Sequence, residues 1–159
     1  MIFRIYGFQL VIPKEYLIIL WKGSHFFEGS VEIQDFIGNI IKMDWNDLNK
    51  FIDKYKTPEE FFKPNLEKIK KDKSVHDYKL DIYALDYDEN HPYFFHKISY
   101  KLVSGFPKKE IIDYLIGLGV FCMNTNRFIL LQYRPPEKGK DLGDKAIEII
   151  KSFKCNCFE

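Results

Sequence analysis

Asp86, Asp88, Glu89 and His91 crowd into one short polar stretch, the densest set of metal-ligating side chains in the sequence. Alternating carboxylates beside a histidine suit a divalent cation, because hard cations take several oxygen ligands. The stretch lacks the turn glycine and closing Glu of an EF-hand loop, so the plainer reading is an acidic loop between strands. Thiols form the second group. Cys155 and Cys157 flank Asn156, a spacing tighter than the C-x2-C of a zinc knuckle, and no second such pair occurs. Cys122, on a predicted strand, can bond to Cys155 or Cys157 if the final helix docks beside that strand. Unbonded thiols, a disulfide to Cys122, and a metal or redox role all stay open; cytosolic disulfides are chiefly a hyperthermophile trait.

The histidines His25, His76, His91 and His96 are scattered, with no H-E-x-x-H pairing at helical spacing. A nucleophile and base such as Cys122 and His96 would have to assemble in space. The nucleophile elbow, the P-loop and the dinucleotide fingerprint are absent; Gly117-Leu118-Gly119 lacks a third glycine and a following helix. No reaction and no cofactor follow from these motifs.

Lysines gather between Lys54 and Lys73, with Lys68, Lys70, Lys71 and Lys73 at the end of the run and Phe61 and Phe62 inside it. Lysines on phosphates with rings stacked on bases would bind nucleic acid. Asp53, Glu59, Glu60, Glu67 and Asp72 interleave with them, which favours a solvated helix face. Trp21, Phe26 and Phe27 lie in or beside a predicted turn. Rings in such a place mark a partner-binding surface, or else a loop folded back over the core.

These groups need a body to position them. With 159 residues the chain has the size of one domain, and 46% hydrophobic with 30% charged residues is a globular balance. Rings make up 17% of the sequence, so the core should be largely aromatic. Lys plus Arg is 24 against 23 Asp plus Glu, which excludes a strongly basic nucleic-acid arm as the dominant feature. Lysine far outnumbers arginine, and glutamine occurs only at Gln9, Gln34 and Gln132. Hyperthermophile proteins show that bias, and an AT-rich genome gives the same one. No apolar run is long enough for a membrane helix, and the start lacks the charged and apolar regions of a secretory signal. Together with few cysteines, this gives the expectation of a cytoplasmic protein without a membrane partner.

Period-two alternation predicts strands through Trp45, including a hairpin from Val31–Gln34 and Ile41–Trp45 around the turn 35–39. Leu48, Phe51, Ile52 and Tyr55 then follow a helical stripe. Thr57, Pro58 and Glu60 signal a second helix start, with Pro64 expected to split it into a turn and a helix to about Asp72. Strands return at Leu80–Ala84, Tyr93–Val103 and Phe128–Tyr133; Ile111–Met123 reads as a short helix or as a strand interrupted at Gly117 and Gly119, and the turn cluster Asn124-Thr125-Asn126 favours the strand. A final helix buries Leu142, Ala146, Ile149, Ile150 and Phe153, with Asp141 and Asp144 at its positive end. That order implies one α+β domain over residues 1–159: a mainly antiparallel sheet with two or three helices packed on it.

The opening Phe8-Gln-Leu-Val-Ile-Pro13, the strand Phe128–Tyr133 and the tail Lys145–Phe153 with its Ser-Phe ending resemble the Mog1/PsbP-like fold. The resemblance implies an accessory or binding module without a shared active site, and the helical region 47–73 departs from its simplest form. The expected function is therefore a non-catalytic protein-binding module, self-association included. A small metal-binding protein or enzyme using Asp86–His96 is the alternative, and a nucleic-acid binder through Lys54–Lys73 comes third.

Overall fold

Alternating side chains carry the chain into two antiparallel sheets. The computed structural model describes residues 1–136 and 143–156. A three-stranded sheet has the order β1-β2-β10, from β1 (Ile2–Ile5), β2 (Phe8–Val11) and β10 (Lys154–Cys155). The larger sheet has seven strands in the order β3-β4-β5-β9-β8-β7-β6. Its members are β3 (Leu17–Leu20), β4 (Gly29–Gln34), β5 (Ile40–Asp47), β6 (Val75–Tyr83), β7 (Tyr93–Ser104), β8 (Lys109–Cys122) and β9 (Arg127–Tyr133). The helices are α1 (Asn49–Ile52), α2 (Pro58–Lys71) and α3 (Gly143–Lys151). The fold is thus the expected α+β class. Among the described residues no helix is long and apolar enough to cross a membrane.

Both faces of the large sheet are covered, and β8 shows how. Tyr114, Ile116, Leu118, Val120 and Cys122 join the core with Phe8 and Leu10 of β2 and Ala146, Ile149 and Ile150 of α3. On the other face, Phe62 of α2 presses so close that a Cβ at Gly119 would stand 2.8 Å from its Cε2. Gly117 and Gly119 therefore do not interrupt the strand; they thin it where the helix must seat. Phe62, Leu66, Phe94, Ile98 and Tyr100 fill that second core, and burying a ring such as Phe62 contributes about 2–3 kcal/mol.

Two helical expectations need correction. α2 runs unbroken through Pro64. The proline is exposed on the outer face of the helix, while Phe62 and Leu66, one turn apart, stay buried on the sheet. The Leu48–Tyr55 stripe packs against Phe121 and Phe128, yet only a single turn, α1, is helical. α1 stops at Ile52, and Thr57, extended as a residue before proline prefers to be (φ −137°, ψ 156°), caps α2. In α3 the expected Ala146, Ile149 and Ile150 are buried; Asp141 and Leu142 lie outside the described residues. Phe153 is buried beyond the helix end, where the chain turns into the unexpected strand β10.

Candidate metal centre

Four local devices bring distant side chains to one end of the large sheet. Inward-facing Cys122 ends β8 with no exposed surface. The turn after it returns through Asn126 in the left-handed region (φ 52°), placing Arg127 directly opposite Cys122. Loop 84–92 is stapled alongside: Met123 N–H donates to Asn90 O at 3.0 Å and Phe121 N–H to Pro92 O at 2.9 Å. Within the loop, Asp88 Oδ1 accepts from Asn90 N–H at 3.0 Å, which fixes the turn that aims His91. Finally β10 pairs Cys155 with Phe8 of β2, and Asn156 N–H donates to Gly7 O at 2.7 Å.

The result is a convergence of soft donors. Cys122 Sγ lies 3.5 Å from His91 Nε2 and 2.9 Å from Cys155 Sγ, and the three ligand atoms lie within 4.8 Å of one another. Tetrahedral zinc with its usual bond lengths sets two thiolates about 3.8 Å apart and a thiolate and imidazole nitrogen about 3.5 Å apart. The Cys–His distance already matches, and the sulfurs need to separate by about 0.9 Å.

Surrounding groups hold the donors in place. Asp88 Oδ1 sits 2.5 Å from His91 Nδ1, and this hydrogen bond holds the Asp88 carboxyl below its ordinary range. A carboxylate on Nδ1 and sulfurs facing Nε2 is the carboxylate–histidine arrangement of metal sites, in which Nε2 is the ligand atom. Thr125 Oγ1 donates to Cys122 Sγ at 2.9 Å and accepts from Arg127 Nε at 3.0 Å. Arg127 is itself clamped between the Phe8 and Phe26 rings, 4.0 and 4.1 Å from their centroids, and donates to Tyr6 O at 2.6 Å. Tyr87 donates to Phe153 O at 2.7 Å, tying the loop to the segment between α3 and β10, and burial raises the pKa of its hydroxyl. Asp86, Tyr87, Asp88, His91, Lys151 and Cys155 border a cleft of about 360 Å³ that opens on the site.

The expected ligands are thus divided. His91 enters the centre, Asp88 orients it, Asp86 only borders the cleft and Glu89 is exposed. Cys122 and Cys155 do meet, in contact rather than bonded, while Cys157 lies outside the described residues. His96, weighed as a base for Cys122, faces the opposite side of the sheet, stacked on Phe94 and against Phe62. Sequence reasoning missed Thr125 and Arg127 as supports. Their only signal was the turn beside Cys122 that the cluster Asn124-Thr125-Asn126 marks.

The other candidates lie elsewhere. Trp21 and Phe27 are 53% and 55% exposed, whereas Phe26, at 36%, is engaged by Arg127. Lys70, Lys71 and Lys73 are exposed on or just after α2, with Lys71 Nζ 3.6 Å from the Glu67 carboxylate, and Lys68 borders a separate groove beside Ile69 and Arg134. Compared with known proteins, the chain matches no family model, and no curated protein is similar to it in sequence.

Proposed function

We propose that this chain is a zinc-binding protein, its ion held by His91, Cys122 and Cys155 and serving to lock loop 84–92 and β10 onto the large sheet. One observation carries the reading: two thiols and an imidazole, from three separate segments, converge with a carboxylate on the far ring nitrogen. Two sulfurs and one nitrogen favour zinc over the hard cations that the acidic loop alone suggested. Cys122 is fully buried, and three protein ligands beside the cleft would leave the fourth tetrahedral position to water. Zinc titration of the reduced chain against a competing indicator tests this. One tight ion per chain is expected, weakened more than about 100-fold by Cys155→Ser and about 10–100-fold by Asp88→Asn. No uptake, or uptake indifferent to both changes, would refute it.

A second reading, a protein-binding and self-associating module, rests on the exposed Trp21 and Phe27 beside edge strand β3, whose Leu17, Ile19 and Leu20 are also exposed. It agrees with the accessory role that resemblance to the Mog1/PsbP-like fold implies, and a zinc-stiffened scaffold is compatible with it. An uncapped apolar edge is a template for pairing. Sedimentation at high concentration should show a dimer, lost when Trp21 and Phe27 are both changed to Ala, because buried aromatic anchors are worth about 2 kcal/mol or more each. A monomer at every concentration would end this reading.

A further inference from the structure

The sulfurs of Cys122 and Cys155 lie 2.9 Å apart. Two thiolates on one zinc stand about 3.8 Å apart, whereas a disulfide holds its sulfurs at about 2.05 Å. The pair therefore sits midway between two chemistries, each less than about 1 Å of movement away. Access to the two sulfurs is unequal. Cys155 is half-buried and borders the cleft, while Cys122 has no exposed surface. Anchoring is unequal too: Cys122 ends a fourteen-residue strand paired along its length, but Cys155 sits on a two-residue strand held by two register pairs.

Building on the zinc reading above, we propose that a peroxide-class oxidant closes Cys122 and Cys155 into a disulfide and thereby expels the ion. In the first step the Cys155 sulfur attacks one peroxide oxygen. The O–O bond breaks, an S–O bond forms, and the released oxygen takes a proton and leaves as water, or as an alcohol from an organic peroxide. In the second step Cys122 attacks the sulfenic sulfur of Cys155, the S–S bond forms, and the hydroxyl leaves as water after taking a proton. Two electrons pass from the two sulfurs to the peroxide. With both thiolates consumed, His91 is left as a single donor, which cannot retain the ion, and zinc departs as the dication. Two equivalents of a small thiol reverse the change, becoming a disulfide themselves and restoring both sulfurs.

The experiment uses the full chain carrying Cys157→Ser, so that the C-terminal peptide holds one thiol. It is loaded with zinc, treated with hydrogen peroxide, and followed by a zinc indicator and by peptide mass mapping. The expected result is a crosslink between the Cys122 and Cys155 peptides, one zinc released for each crosslink, and recovery of both by dithiothreitol. Oxidation of Cys155 to sulfinic acid without a crosslink, or a crosslink with the zinc retained, would overturn the proposal while leaving the zinc site standing. A chain that takes up no zinc yet forms the crosslink would instead overturn the zinc reading, and the release step with it. The mapping is made on folded protein with both thiols present, so it does not depend on a variant at buried Cys122.

Discussion

Zinc should raise the melting temperature of the reduced chain by roughly 10 °C, and a chelator should remove the gain. His91 and Cys122 are 31 positions apart and Cys122 and Cys155 are 33 apart, so the ion closes two long loops at once. An ion that binds the folded chain at about a thousand times its dissociation constant stabilises it by about 4 kcal/mol. For a domain of this size, each kcal/mol moves the midpoint by about 2–4 °C. Cys155→Ser should lose most of this shift while keeping the midpoint of the metal-free protein close to that of wild type, since Cys155 is only half-buried. Differential scanning calorimetry with and without zinc checks it, and an unchanged midpoint would count against the site.

Acid should weaken the metal-free protein through His96, well before the carboxylates act. His96 is fully buried between Phe62 and Phe94, and among the described residues neither ring nitrogen has a hydrogen-bond partner. Burial lowers its pKa to about 4, from 6.5 in an exposed histidine. The unfolded chain therefore takes up a proton first as pH falls, and the stability that the neutral ring contributes is complete above about pH 6.5 and lost by about pH 4. At about 1.4 kcal/mol for each pH unit, the loss is of the order of 3 kcal/mol. Asp35 and Asp88, held below their ordinary range by the backbone and side chain of Asn39 and by His91 respectively, weaken the fold only at lower pH. Protons compete with zinc for its ligands, so the metal-free protein isolates the His96 effect. Urea unfolding across this window should show the slope in wild type and a nearly flat profile in His96→Leu; parallel slopes would refute the assignment.

Much of the scaffold was legible because alternation is a local signal. The β4–β5 hairpin follows it, β7 and β9 show instead as runs of aromatic and branched residues, and β8 was open between helix and interrupted strand because of Gly117 and Gly119. What stayed hidden was set by tertiary packing. Pro64 argues locally for a break, but Phe62 and Leu66 gain more from one continuous helix on the sheet. β10 has two residues and no pattern of its own; β2 creates it by pairing. The site was legible only in halves. Asp88 with His91, and Cys122 with Cys155, each stood out by residue type, but the sequence separations between them carry no spacing rule. Strand parity decides which histidine meets Cys122: His96 faces α2, while His91, in a loop free of the alternation, reaches the inner face.

Zinc-edge X-ray absorption of the reduced chain loaded with one equivalent addresses the ligand set most directly. The account predicts at least two sulfur neighbours at about 2.3 Å and an imidazole nitrogen at about 2.0 Å. A first shell of oxygen and nitrogen alone would place the ion on surface carboxylates and contradict it.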